Sequence, residues 1–217
     1  MQTLTEKIWK ARPPHGLFDE TVVQNLFPGF SGPARKALVH RATQKGEILY
    51  LKPGLYCLNQ DYNPSPPHPF IIAAMLHSPS YVSMESALWF HQMIPEALCQ
   101  VVSVTPERSR VFKTPLGVFS FFRVPCNFLM AGVRAEKFDN NAWAFVAGPL
   151  RAIADLVYRN RETTWQKHGM AFLLDSLRME QADLFNLPLQ DYKDIYESFR
   201  NKRVKEFLKG LKQEIGK

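Results

Sequence analysis

The chain has 217 residues, 46% apolar and 22% charged, with a formal net charge of +7. That length supports one large domain or two small ones around a sizeable core, and the composition excludes long disorder. The three cysteines, Cys57, Cys99 and Cys126, are far apart and form no CxxC pair or Cys/His cluster, which points to reduced thiols in a cytoplasmic protein.

The positive charge sits at the two ends. Residues 1–60 carry 8 Lys/Arg against 4 Asp/Glu, residues 200–217 carry 7 against 2, and residues 61–199 carry 12 against 14. A basic head and tail fit a polyanionic partner, though basic ends also serve solubility alone. The opening segment MQTLTEKIWKARPP has no apolar run of signal-peptide length. The most apolar region, PLGVFSFFRVPCNFLMAGV at 115–133, is broken by Pro115, Arg123, Pro125 and Asn127, which suits buried strands and not a membrane span.

In chain order, DETVVQNLFP reads as a short helix with Asp19 as N-cap and Pro28 beyond its end. SGPARKALVHRATQKG reads as a second helix, with Ser31 near the N-cap, Pro33 in the first turn and Gly46 as the stop. Ala34, Ala37, Leu38 and Ala42 mark its apolar stripe, and Arg35, Lys36, His40 and Lys45 lie off it. EILYLKPGLYCLN follows as a tight hairpin around Lys52-Pro53-Gly54. Helix, turn, basic helix and hairpin is the order of a winged helix-turn-helix, whose second helix enters the major groove while the hairpin lies along the backbone. The plainer reading is a small helical cap with a solvated basic face.

QDYNPSPPHP at 60–69 has four prolines in ten residues and reads as a linker. The expected division is therefore a winged domain at 1–60, a proline-rich linker at 61–69 and a second domain at 70–217. FIIAAMLH reads as a short apolar helix, and a further helix is expected to start at Ser83. Strands are expected at Val101–Thr105 and Val118–Val124 around a polar turn, and FLMAGV as a further strand. From Asn141 onward the chain reads as helical, through NAWAFVAGPLRAIADLVYRNR to a basic C-terminal segment with Val204, Phe207, Leu208 and Leu211 on one stripe. That tail reads as a DNA or protein contact, or as an amphipathic terminal helix with a solvated face.

The segment YVSMESALWFHQMIPEA sets Ser83, Glu85, Ser86 and His91 within nine residues. Ser86 and His91, five apart, lie about 140° from one another on a helix and share no face. Ser83 at the cap is expected to spend its hydroxyl on a backbone N–H, and no GxSxG elbow surrounds either serine. His77 and His91 lack a third ligand at metal spacing, and His15, His40, His68 and His168 are scattered. Asp139, Asp155 and Asp175 lack paired-carboxylate spacing, no phosphate-binding glycine loop is present, and Cys99 reads as inert. No catalytic residue, metal site or cofactor is expected.

The succession KGEILYLKPGLYCL, YVSMESALWFHQMIPE, VVSVTPERSRVFKTPLGVFSFFRV and AFVAGPLRAIADLVY resembles the AbiEi-type antitoxin and transcriptional regulator family over roughly 31–159. This chain departs from the usual family pattern at His91-Gln92 and at PLRAIAD. The resemblance implies an α+β protein with an N-terminal winged helix-turn-helix and a mixed α/β antitoxin domain with a helical C-terminal part. It implies a non-enzymatic autorepressor that binds inverted repeats in double-stranded DNA at its own promoter, as a monomer or a DNA-induced dimer. It also implies antagonism of a nucleotidyltransferase-like toxin in a type IV toxin–antitoxin system. On that reading Arg35, Lys36, His40 and Arg41 meet DNA, Lys45 and Lys52 contact phosphates, and Arg108 and Arg110 or the tail add basic contacts. Two competing readings are a protein-interaction module, or a regulator of the same fold without antitoxin activity, and an enzyme with a composite site on nucleic acid.

Overall fold

The first ordered element is a helix the sequence reading did not anticipate, α1 (Thr3–Ala11), which buries Leu4, Thr5 and Ile8 at helical spacing. The structure, a computed structural model, describes residues 3–63, 65–95, 99–138 and 141–216. A short strand, β1 (Leu17–Asp19), leads into α2 (Glu20–Leu26), whose first turn is capped by the Asp19 carboxylate accepting from the Val22 N–H. Next comes α3 (Gly32–Gln44), and then the hairpin β2 (Ile48–Lys52) and β3 (Leu55–Leu58). Pro53-Gly54 makes the turn, and Gly54 takes φ 78°, where a side chain would be strained. The three strands form an antiparallel sheet in the order β1-β3-β2.

The central strand β3 is buried at all four positions, because both faces of the sheet are covered. Tyr56 and Leu58, with Phe18 of β1 and Ile48 of β2, join Leu4, Ile8, Val23, Phe27, Val39 and Ala42 in a small core. Leu55 and Cys57, with Leu17 and Leu51, point the other way and belong to the large core of the remaining chain. The 61–69 segment is therefore not a free tether. Tyr62 packs on the small core, the Asn63 amide donates to the His15 carbonyl at 2.8 Å, and His68 caps the next helix. Within it, Pro64 lies outside the described residues.

The second part is built on a six-stranded mixed sheet in the order β6-β7-β5-β4-β9-β8. Its strands are β4 (Tyr81–Val82), β5 (Val101–Thr105), β6 (Arg110–Thr114), β7 (Gly117–Arg123), β8 (Val133–Phe138) and β9 (Ala142–Ala147). The strand expected at Val101–Thr105 is there, and the one expected at 118–124 is β7. Three expectations fail. The polar turn holds an extra edge strand, β6; FLMAGV is mostly a turn that leads into β8; and Ala142–Ala147 is a strand, not a helix. Its alternation explains the last: Ala142, Ala144 and Val146 are buried while Trp143 and Phe145 are exposed, a period of two.

Helices α4 (Pro69–Leu76) and α5 (Met84–Phe90) pack on β5 and β9, and α6 (Pro149–Arg159) packs on α5 and β9. The Gly148-Pro149 pair is the N-terminus of α6 rather than an interruption of it. The C-terminal part is helical as expected: α7 (Trp165–Ala171), α8 (Gln181–Phe185), α9 (Tyr192–Ser198) and α10 (Lys202–Ile215). In α10, Val204, Phe207, Leu208 and Leu211 are buried. Arg203 reaches the end of α6, where its guanidinium donates to the carbonyls of Val157, Tyr158, Asn160 and Thr163 at 2.6–3.2 Å. A cation on the last carbonyls of a helix satisfies acceptors that the helix itself leaves open. No helix among the described residues is long and apolar enough to cross a membrane.

Candidate nucleic-acid interface

The Ser31 hydroxyl accepts from the Ala34 N–H at 3.4 Å and starts α3, Pro33 lies in its first turn, and Gly46 at φ 69° ends the segment. Val39 and Ala42 anchor the helix in the small core with Leu38 beside them. Ala37, expected on the apolar stripe, is exposed, and Val39 takes the buried place. The outward face is consequently Lys36, Ala37, His40, Arg41 and Gln44, with Lys45 at the C-cap. At 3.6 residues per turn these positions form one polar, basic stripe with a small residue at its centre.

Arg35 does not share that stripe. It is half-buried, and its Nη1 donates to the Phe30 carbonyl. Phe30 in turn meets the Phe27 ring edge-on at 5.3 Å. Arg35 thus braces the turn between α2 and α3 and fixes their angle instead of facing outward. Arg41, placed near the apolar stripe by the sequence reading, is exposed, with its Nε donating to the Ala37 carbonyl at 3.3 Å.

Lys52 also departs from its expected place at a free hairpin tip. Its Nζ donates to the Leu76 carbonyl at 2.9 Å, closing the C-terminus of α4. Burial, and then the nearby Arg110, push its ammonium below the ordinary lysine range. Arg108 and Arg110 are exposed, and Arg110 opens β6, which runs beside β2. Arg110, supplied by the second sheet, is thus an exposed cation near the hairpin. Under it, His77 is buried against the Phe112 and Phe121 rings, 3.7 Å from the Glu107 carboxylate. Burial pushes its imidazole below the ordinary histidine range, against the pull of Glu107.

The basic C-terminal helix presents its cations differently. Lys205 sits over the Tyr196 ring at 4.8 Å and Lys212 over the Tyr192 ring at 4.3 Å, while the opposite side of α10 is core. This is the packed amphipathic helix with a solvated face.

The serine, glutamate and histidine of the 81–97 segment are occupied with holding the fold. Ser83 stands at the N-cap of α5, but its hydroxyl donates to Asp155 Oδ2 at 2.7 Å and not to a backbone partner. Ser86 Oγ accepts from the Val102 N–H at 2.7 Å, His91 Nε2 lies 2.9 Å from the Ala147 carbonyl, and Glu85 takes two hydrogen bonds from Arg159. Glu96, in the IPE at the end of that segment, and Asp139 lie outside the described residues. Cys99 is exposed and Asp175 is exposed; the Cys57 thiol is pushed up to about 12 by burial. Among the described residues no three His, Cys, Asp or Glu side chains come together as a metal site.

Sequence reasoning missed a fully buried ion pair. Arg151 and Asp155, one turn apart on α6, form an ion pair with Nε 3.2 and 3.3 Å from the two carboxylate oxygens, both side chains fully buried. The Tyr81 hydroxyl donates to Asp155 at 2.9 Å and accepts from Arg151 Nη2 at 2.6 Å. Arg151 also donates to the Ala131 carbonyl at 3.1 Å and to Ser198 Oγ at 3.3 Å. Burial raises both the Asp155 carboxyl and the Tyr81 hydroxyl above their usual ranges, and Arg151 opposes it at each. The signal was available: two opposite charges four apart in the otherwise apolar run 150–157. The pair ties β4, α6 and α9 together and is closed to ligands.

No protein-family model matches the chain, and no curated protein matches it either.

Proposed function

We propose that the chain is a DNA-binding autorepressor with antitoxin activity, of the kind the AbiEi-type resemblance implies. In this reading the α1-β1-α2-α3-β2-β3 unit is a winged helix-turn-helix and α3 is the helix that enters the major groove. The observation that carries it is the exposed row Lys36, His40 and Arg41 on α3, beside a hairpin in a β1-β3-β2 sheet. Lys36, at the start of that row, is suited to base edges, since the N-terminal residues of such a helix reach deepest. Lys45, Arg108 and Arg110 are suited to phosphates, which carry affinity and its salt dependence. Arg35 acts by setting the turn, and Lys52 by anchoring the hairpin to α4. The six-stranded sheet and its helices form the antitoxin part, opposing a nucleotidyltransferase-like toxin in the cytoplasm.

The test is binding of the purified protein to DNA upstream of its own gene, against scrambled DNA, over a salt series. Selective binding that weakens steeply with salt and drops about tenfold or more with Lys36→Ala plus Arg41→Ala is expected, one lost base contact alone being worth ~1–3 kcal/mol. Equal, weak binding to both DNAs would remove the repressor reading. Rescue of growth on co-expression with a neighbouring nucleotidyltransferase-like gene product tests the antitoxin role separately. A second reading, a module acting through protein contacts alone, has one observation in its favour: Trp143 and Phe145 side by side on an open sheet face.

A further inference from the structure

Among the described residues, strand β8 is an outer edge of the six-stranded sheet, paired antiparallel with β9 on one side only. It reads Val133-Arg134-Ala135-Glu136-Lys137-Phe138. An open edge is a template for another strand, and charged residues along it decide which partners are admitted. Arg134 is exposed and pairs with the partly exposed Asp191 at 3.1 Å; Ala135 and Lys137 are exposed as well.

Geometry limits how such an edge can meet its own copy. Two residues directly opposite in an antiparallel pair are either both hydrogen-bonded to each other or both turned away. Self-pairing about a two-fold axis must therefore centre on a residue, not between two. Centred on Arg134, the strand sets two arginines opposite one another, and centred on Glu136 it sets two glutamates opposite one another. Both are unfavourable. Centred on Ala135, it sets Arg134 opposite Glu136 of the other copy, twice, with the small Ala135 pair on the axis and Val133 opposite Lys137. Only this register turns every like-charge contact into an opposite-charge one.

We infer that β8 is the surface by which two copies of this chain associate, edge to edge about a two-fold axis at Ala135. The charges then serve both ends: they repel slipped registers and fix the productive one. The Val133 N–H is already donated to the Met130 carbonyl at 3.1 Å, so the free edge is shorter than the strand; the association is weak and gains from anything that holds two copies together.

A consequence rests on the DNA reading as well. The head packs beside β6, at the opposite edge of the sheet from β8. Joining two sheets through β8 leaves the two β6 strands on the order of 50 Å apart at ~4.8 Å per strand spacing. That span exceeds half-sites one helical turn apart, ~34 Å, and suits half-sites two turns apart.

The pairing is tested without DNA, by sedimentation velocity over a concentration series on three variants of the full chain. Arg134→Glu alone and Glu136→Arg alone are each expected to weaken self-association at least tenfold. The double variant, Arg134→Glu with Glu136→Arg, restores it. A mixture of the two single variants also associates, because one then carries glutamates and the other arginines at both 134 and 136, the positions that meet across the axis. That mixing result guards against misfolding, since an unfolded variant could not bring it about. Ala135→Cys gives a second route, with the native chain as control: a symmetric disulfide dimer is expected under mild oxidation. A monomer up to about 100 μM with no crosslink beyond the control overturns the inference, as does self-association indifferent to both charge reversals. Binding to DNA with half-sites one turn apart overturns only the spacing, and failure to bind DNA leaves the edge pairing to its own test.

Discussion

Replacing Arg151 alone would strand the Asp155 carboxylate in the core with only the Tyr81 and Ser83 hydroxyls to meet it. Breaking one side of a buried pair costs ~3–5 kcal/mol, because the remaining charge has lost water and gained no partner. Removing both charges and filling the space with apolar atoms avoids that penalty. Arg151→Met and Asp155→Leu are therefore expected to be severely destabilising singly, and the double variant milder than either. Urea unfolding midpoints of the three variants decide it, and additive single effects would show that the two charges do not act as a pair. The residue scale was only half legible in the sequence. The spacing of Arg151 and Asp155 was visible, but Tyr81 and Ser83 sit 74 and 72 residues from Asp155, a proximity that local periodicity does not encode. Likewise, Arg35 and Lys36 are neighbours of the same charge, and only the path of the α2–α3 turn sends one inward to Phe30 and the other outward.

At the scale of elements, chemistry that acts within a few residues was readable. Asp19 and Ser31 cap the helices they were expected to cap, and Pro53-Gly54 makes the expected hairpin. Ala142–Ala147 was misread because alanines suit a helix as well as a strand, and the pairing with β8 that decides it is tertiary. The docking of α10 shows the same override in energetic form. Gly210 lies in the middle of α10, where alanine ordinarily stabilises a helix by ~1 kcal/mol. Here a Cβ would fall 2.3 Å from the Trp165 indole, whose ring is held edge-on to Phe207 at 5.2 Å. Gly210→Ala is expected to destabilise by ~1–3 kcal/mol through overpacking. Thermal melts of Gly210→Ala, with and without Trp165→Leu, test this: the smaller side chain at 165 should recover most of the loss. A gain in stability from Gly210→Ala alone would mean the indole is not seated against α10.

At the scale of the whole molecule, the basic head and the sheet-based body share a strand. Leu55 and Cys57 of β3 face the large core, and Tyr56 and Leu58 of the same strand face the small one. A loose tether would let the head open by itself. A central strand buried on both sides couples the two cores, so opening one exposes the other. Proline content reports local stiffness and not what the flanking residues bury, so the four-proline segment alone does not tell how head and body are coupled. Leu55→Ala is the direct probe, because it removes apolar volume on the body-facing side of a head strand and is expected to cost ~2–5 kcal/mol. Hydrogen exchange followed by mass spectrometry in mild urea reads the head through β1 and β3 and the body through β5 and β7. In the native chain the two sets are expected to open together, and in Leu55→Ala both should lose protection by the same amount. A head that opens first, leaving β5 and β7 protected, would mean that the two cores are separate and that α3 is carried on a domain free to reorient. Under joint opening, α3 and the Arg110 end of β6 keep a fixed relation, so the cations on both approach a ligand as one rigid surface.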